Sequence, residues 1–416
     1  MDFEIPAETR ARLADLDRFI ASEIRPLEEE DDNIRFFDHR REASRTLFDQ
    51  DGIPNPEWED LLGEARRRAD AAGWWRLGLP EAIGGSGATN LEIALIREHL
   101  TRMGLGLHND LQNEFSVVAN MMTVELLHEF GSPAQQEEIV EKLIVGDYTV
   151  AFGLTEPQHG SDAAYMETAA RRDGDEWVLT GTKQWITNSP YADYAMVFAL
   201  TDPEAAARHK GGVTGFFVDT RASGFSVPRI INTMGHLGGD TGVIVLDGVR
   251  VRDDHRLGDV GHGLAVAMDG VNAGRMGMAA SCLGLARWAL DLAVDYAKVR
   301  KTFGVPIAEH QAIQLMLADS AMDIYAAKTM IQNCAWRLDS GRSANAQVSM
   351  VKAFSTEMLG RVMDRSIQIH GGMGLTNELC LEEGYRFARV MRIPDGTGEI
   401  QRRTVARQLL TGQAAL

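Results

Sequence analysis

The sequence predicts an α+β protein in three consecutive parts: helices over residues 1–148, a β-domain over 149–258 and a helical bundle over 259–416. Three observations predict it. From about Glu8 to Gly146 apolar residues recur at three- and four-residue spacing, the period of an amphipathic helix. From Thr149 to about Leu257 runs rich in Val, Ile, Phe and Trp are cut by Gly, Asp, Asn and Pro turns. From about Gly263 the helical period returns in longer stretches.

In the first part, Leu91, Ala94, Leu95, Glu98 and His99 are followed by Val118, Met121, Met122, Leu126 and Leu127 at helical spacing. Asn90 and Ser132 stand where N-caps belong, with Pro133 at a first helical position. Gly-rich breaks at 84–87 and 104–106 separate these helices. In the second part, WVLTGTKQWIT, YAMVFAL, GFFVDT, FSVPRI and GVIVLDGVRV read as strands, with turns at Asp173-Gly174, Asn188-Ser189-Pro190 and Asp247-Gly248. Short strands at this spacing predict a compact barrel or sandwich. In the third part, Ile313, Met316, Leu317, Ala321, Ile324, Lys328 and Ile331 lie along one face. Leu283, Ala286, Leu290, Ala293 and Ala297 line another, and both stripes read as bundle core.

The formal net charge is −18, and residues 1–60 carry 18 acidic residues against 8 arginines. So acidic a surface repels a phosphate backbone, which excludes nucleic acid as an expected partner. The three cysteines, Cys282, Cys334 and Cys380, are far apart and odd in number, against a disulfide framework or a zinc knuckle. No metal is expected. The start of the chain lacks a basic n-region followed by an apolar run, and no stretch approaches about 18 apolar residues, so a cytoplasmic protein is expected.

Four stretches carry chemistry. AFGLTEPQHGSDAA (151–164) joins an apolar strand to a turn offering hydroxyls and backbone N–H groups to a flat polar ring or a phosphate. GTKQWITNS (181–189) places Trp185 and Thr187 two apart on a strand, where one alternation would turn both to the same ligand. Core packing accounts for this Trp equally well. YAKVRKTFGVPIAEHQ (296–311) sets Arg300 and Lys301 at a helix end, with Gln311 early in the next helix. Arg suits a pyrophosphate through its planar fork of donors. An exposed basic helix end explains those charges too, but not the order of residue types. Finally, QIHGGMGLTNELCLEEGYRFARVMRIPDGTGEIQRR (368–403) combines the Gly371-Gly372 pair, five arginines and the Pro394-Asp395-Gly396-Thr397 turn. Asp395 is also the residue type that caps a helix starting near Gly396.

In this order, and over nearly the whole chain, the four stretches resemble the acyl-CoA dehydrogenase family. FGSPAQQEEIVEKLIVGD (130–147) is similar to that family's linker into its β-domain. The resemblance implies an N-terminal helical domain, a middle β-barrel or sandwich and a C-terminal four-helix bundle. It implies FAD as cofactor. Phe152, Leu154, Thr155, Gly160 and Ser161 would stand at the flavin, as would Trp185, Ile186 and Thr187, with Thr187 near N5. Arg300, Thr302, Phe303 and Gln311, with Gln368, Gly371 and Gly372, would reach the FAD of a neighbouring subunit, which implies a homodimer or homotetramer. Thr397 and Glu399 would lie near the adenylate half. Ser161, Asn272 and Arg275 match substrate positions, the last two at the CoA portion. This sequence departs from the pattern at Phe152 (often Tyr), His159 (often small) and Asn272 (often Asp).

The implied reaction is α,β-dehydrogenation of an acyl-CoA to a trans-2-enoyl-CoA, a base removing the α-proton while N5 of the flavin accepts the β-hydride. The base should be a carboxylate in a dry pocket, with its pKa raised toward neutrality. Most members carry Glu in a Tyr-Glu-Gly-Thr turn, and here the turn reads Pro394-Asp395-Gly396-Thr397. A second group places its Glu just before the Arg matching Arg275, where this chain has Gly274. Asp395 is therefore the motif-matched base, one methylene shorter. Electron-transfer flavoprotein is the acceptor the resemblance implies. A nitroalkane-oxidase-like flavoenzyme and a non-catalytic acyl-CoA-binding subunit of the same fold are the competing readings. His108, Asn109, Asp110, Gln112, Asn113 and Glu114, in the region expected to set acyl-pocket depth, either face solvent or bind a functionalised acyl group.

Overall fold

A computed structural model describes residues 4–37, 45–47, 53–108, 115–208, 210–231, 233–234 and 241–413. Its helices are α1 (Ala7–Phe19), α2 (Arg25–Glu29), α3 (Pro56–Ala71), α4 (Asn90–Arg102), α5 (Met122–Phe130), α6 (Pro133–Val145) and α7 (Pro203–Ala207). After these come α8 (Gly263–Val299), α9 (Gln311–Asp339), α10 (Asn345–His370), α11 (Leu381–Val390) and α12 (Gly398–Leu410). The strands are β1 (Thr46–Leu47), β2 (Ile53–Pro54), β3 (Val150–Gly153), β4 (Ala169–Asp173), β5 (Glu176–Thr187) and β6 (Tyr194–Leu200). They continue as β7 (Val213–Asp219), β8 (Phe225–Ile230), β9 (Thr241–Arg252), β10 (Arg256–Leu257), β11 (Lys301–Thr302) and β12 (Val305–Pro306). The order is helical, then β, then helical, as the periodicity predicts.

The chain divides into two compact units, one of Met1–Arg41, Glu64–Ala119 and Gly274–Leu416, the other of Glu42–Gly63 and Asn120–Ala273. The boundary inside the third helical part falls between Ala273 and Gly274, within α8.

In the first unit a bundle core joins Leu283 and Ala286 of α8, Ile324 and Ile331 of α9, and Val348, Leu359 and Val362 of α10. Of the stripe expected on α9, Ile324 and Ile331 reach the core, whereas Ala321 is exposed. Lys328, its polar member, lies 3.9 Å from buried Glu98, which also pairs with Arg287. Helix α4 packs close on α8: a Cβ at Gly284 would run into Thr101 Oγ1 and the Glu98 carbonyl, so the crossing requires glycine. The N-cap of α4 is Thr89 rather than Asn90, its hydroxyl accepting from Glu92 N. Asn90 and Leu91 instead donate their backbone N–H groups to the Asp339 carboxylate at 2.7 and 3.0 Å, satisfying a helix start from a remote side chain. Helix α8 is long and apolar enough, by length and composition alone, to cross a membrane, but half of its most apolar window is buried in the protein.

In the second unit α6 begins as predicted. Ser132 and Gln135 form a reciprocal capping box, with Pro133 in the first turn. Besides the two-stranded pair β1/β2, the described strands of this unit form an eight-stranded mixed sheet in the order β10-β7-β6-β4-β5-β9-β8, with β3 joined to β6 in parallel. Strands β6 and β7 are buried almost throughout, which explains their unbroken apolar runs. The long antiparallel pair β5/β9 carries a bulge between Gln184 and Ile186.

Candidate active site

The Asp395 turn is built in the first unit. Asp395 has φ 56° and Gly396 φ 89°, two successive residues in the left-handed region. Asp tolerates that region better than most side chains, and glycine adopts it freely. A Cβ at Gly396 would also stand 2.8 Å from Gln401 Nε2, a second reason for glycine here. The cap of α12 is Thr397, whose hydroxyl accepts from Ile400 N, so Asp395 is released from the capping role its residue type allows. Among the described residues its side chain caps no helix end.

Three helices hold this turn by its carbonyls. Arg275 Nε of α8 donates to Asp395 O at 2.9 Å. Gln401 Nε2 of α12 donates to Asp395 O at 2.9 Å and to Gly396 O at 3.1 Å. Lys352 Nζ of α10 donates to Gly396 O at 2.8 Å. Lys352 and Gln401 are themselves fully buried.

The Asp395 carboxyl lies against helix α8 at Gly274, where an added Cβ would stand 3.0 Å from Oδ2. Part of the residue is exposed, yet protein atoms enclose its carboxyl, and this burial holds the pKa above the ordinary Asp value. The nearby cations Lys352 and Arg275 oppose that rise without cancelling it. Burial likewise pushes the Lys352 amine down to about 8, against the attraction of Asp395. Burial thus raises the acid and depresses the amine and guanidinium beside it, a pattern found at proton-handling sites and at buried structural ion pairs alike.

The other predicted residues of this unit are largely surface-directed. Arg300 follows the end of α8 and is exposed; Thr302 Oγ1 meets His310 Nε2 at 3.1 Å. Phe303, at the tip of the β11/β12 hairpin, has φ 51° and is 97% exposed. Gln311, Gln368, Gly371, Gly372 and Glu399 are exposed, and Gly371 ends α10 with a positive φ of 59°. His108 does not face solvent: it is buried, and burial pushes its imidazole down to about 3. Residues 109–114 lie outside the described residues.

In the second unit the 151–164 stretch is a strand end and turn fixed from below. Glu156 is buried and accepts from Glu167 N at 2.6 Å, Thr168 N at 3.0 Å and Lys183 Nζ at 2.8 Å. Lys183, with no exposure, also donates to Leu154 O at 3.2 Å, while Gln184 N donates to Thr155 O at 2.9 Å. Leu154 and Thr155 are thus tied directly to β5. Phe152 packs on Phe198, ring centres 5.2 Å apart. Gly160 and Ser161 are exposed on the turn, beside the His159–Asp162 pair at 3.1 Å.

Simple alternation does not hold at Trp185. The residue sits in the β5 bulge with φ 64° and is 53% exposed, while Ile186 is buried and Thr187 pairs with Thr241. Among the described residues no ring stacks on the Trp185 indole, so core packing does not explain it. A bulge that turns a bare indole outward fits a planar ring ligand such as isoalloxazine. Asn272 is half-buried on α8.

Sequence reasoning missed Lys352, Gln401, Glu156 and Lys183. A signal existed for the lysines: Lys352 falls on the core-facing row of α10 with Val348 and Leu359, and Lys183 lies on the buried face of β5 with Trp177 and Leu179. A lysine at an apolar position marks a buried charge with a job.

Family models for the acyl-CoA dehydrogenase N-terminal, middle and C-terminal domains match residues 6–147, 151–249 and 261–410. The chain belongs to the acyl-CoA dehydrogenase family. It is 36% identical over 340 residues to a 3-(aryl)acrylate reductase of Clostridium sporogenes, covering 81% of this chain and 88% of that protein. It is 35% identical over 338 residues to the caffeyl-CoA reductase-Etf complex subunit CarC of Acetobacterium woodii, covering 81% and 87%. The structure of butyryl-CoA dehydrogenase from Megasphaera elsdenii superposes with a TM-score of 0.76 at 27% identity, over 99% of this chain and all of that one. This acyl-CoA dehydrogenase is a flavin-dependent oxidoreductase of a family whose members use FAD.

Proposed function

We propose that the protein catalyses α,β-dehydrogenation of an acyl-CoA thioester to the trans-2-enoyl-CoA, with Asp395 as the base. The observation that carries the reading is the Asp395 turn: an enclosed carboxyl with a raised pKa, presented by a turn that three helices hold through its backbone. An oxygen of that carboxylate takes the α-proton. Protonation there neutralises a buried charge, which lowers the cost of the step. FAD, when bound, supplies the acceptor for the β-hydride.

We assign the flavin ring to Trp185, Ile186 and Thr187 with Phe152, Leu154, Thr155, Gly160 and Ser161, and the adenylate half to Thr397 and Glu399. Ser161, Asn272 and Arg275 address the substrate, and Arg275 also carries the turn of the base. Arg300, Thr302, Phe303, Gln311, Gln368, Gly371 and Gly372 project from the first unit and serve the FAD of a second copy, in a homodimer or homotetramer. Electron-transfer flavoprotein is the proposed acceptor, supported by the name of the Acetobacterium relative's complex.

Anaerobic titration of the purified protein with a panel of acyl-CoA thioesters tests this reading. A flavin absorbance band that bleaches with formation of one enoyl-CoA per flavin is expected. Protein that binds no flavin, or flavin that no thioester bleaches, contradicts it.

A further inference from the structure

We propose that Lys352 is the positioning residue that sets the reach of the Asp395 base, by clamping the carbonyl of the next residue, Gly396. The assignment rests on Asp395 being the base. Lys352 rises from the core face of α10, fully buried, in a row with Val348, Ser355 and Leu359. An amine held in an apolar core is costly, and a structural role would be served at less cost by a methionine of similar length. Its hydrogen bond among the described residues goes to Gly396 O, at 2.8 Å.

That acceptor lies one residue beyond Asp395, in a turn whose two central residues both have positive φ. Asp tolerates that conformation better than most side chains, but it still costs free energy, so the contacts that hold the turn matter. The clamp matters more for Asp than for Glu. With one methylene fewer, an Asp carboxyl has little freedom of its own, so its place follows the backbone. A donor that fixes the 396 carbonyl therefore fixes the carboxyl, and a displacement of about 1 Å at a reacting group costs on the order of a hundredfold in rate.

The charge has a second effect. The ionisable groups that act on Lys352 are Asp395, Cys282 and Glu399, which favour its cation, and Arg275, which opposes it. Asp395 in turn is opposed in its rise by Lys352 and by Arg275. Lysine thus keeps the base ionised at a lower pH than its burial alone would permit. A lysine that filled the core without facing the turn would leave that balance unmoved.

The test uses the FAD-loaded enzyme and two variants, Lys352→Met and Lys352→Gln. The probe is whichever of butanoyl-, hexanoyl- and 3-phenylpropanoyl-CoA reduces the wild-type flavin fastest. The rate of flavin reduction is followed anaerobically against pH. Lys352→Met, without donor or charge, is expected to lose about tenfold or more at neutral pH, with the acid limb of the profile moved up by about one unit. Lys352→Gln keeps a donor for Gly396 O, and is expected to regain most of the plateau rate while keeping the upward shift. An unmoved acid limb in both variants overturns the assignment, whether or not the rates fall. Loss of FAD by both variants overturns it too, because Lys352 is then a structural core residue. Normal reduction in Asp395→Asn is a separate result, which sinks the base itself and not the clamp.

Discussion

The carboxyl of Asp395 lies so close to the backbone of Gly274 that a Cβ added at Gly274 would stand 3.0 Å from Oδ2. Position 274 is the one at which a second group of the family is expected to carry its base. The two alternative positions therefore address one place. In this chain the carboxylate comes from the turn, and glycine on the helix leaves it room.

Gly274→Ala separates stability from activity. Alanine is the better helix former by up to about 1 kcal/mol, and the tight 3.0 Å approach of its Cβ to Asp395 Oδ2 offsets that gain, so thermal unfolding of the variant is expected close to the wild-type temperature. Its methyl pushes against the carboxyl, and flavin reduction by acyl-CoA is expected to slow by about tenfold or more. An unchanged reduction rate would show that the 274 face and the Asp395 carboxyl are not coupled.

The pH dependence follows from the raised pKa of Asp395. As the proposed base, Asp395 works ionised, so reduction should fall as pH drops through its folded pKa. Because burial raises that value, the fall should begin above the ordinary Asp range, about pH 4. A stopped-flow profile flat down to the ordinary Asp pKa would contradict the assignment of burial as the dominant influence.

Lys183→Met tests the buried pair under the 151–164 turn. The substitution leaves Glu156, held below its usual carboxylate pKa by Lys183 and backbone donors despite burial, as an uncompensated buried charge. A loss of about 3–5 kcal/mol in denaturant unfolding is expected. The double variant Lys183→Met with Glu156→Gln should recover part of it.

Trp185→Ala addresses the flavin. Because the indole is half exposed, its removal should leave the unfolding of the flavin-free protein unchanged. Loss of a stacking partner should weaken FAD binding by about tenfold, the equivalent of 1.4 kcal/mol. Equal retention of FAD through dialysis by wild type and variant would remove Trp185 from the site.

The exposed face of α9 tests assembly. Met322 is 63% exposed and Tyr325 75%, one helical turn apart with Leu315 farther along the same side. The pair Met322→Glu with Tyr325→Glu should lower the mass measured by light scattering, if this face joins copies of the chain. An unaltered mass places the interface elsewhere.

How much of this was legible in the sequence depends on the range over which each feature is determined. The three-part order was legible, because periodicity is local and the bundle and sheet impose different periods. Ser132 and Pro133 were legible for the same reason: a capping box is written within four residues. Asn90 misled, because its N–H is satisfied by Asp339, some 249 residues away, while the adjacent Thr89 does the capping. Trp185 was found for its residue type, but its presentation depends on a bulge set by pairing with β9. Asp395 was found as a motif residue, whereas its holders Lys352 and Gln401 were not, because only the folded bundle brings α10 and α12 to the turn.

The most direct measurement replaces Asp395 with Asn and mixes the FAD-loaded variant anaerobically with the acyl-CoA that best reduces the wild type. Asparagine keeps the shape and cannot take the proton, so the flavin band should persist over times that bleach the wild type completely. Bleaching at the wild-type rate would contradict Asp395 as the base.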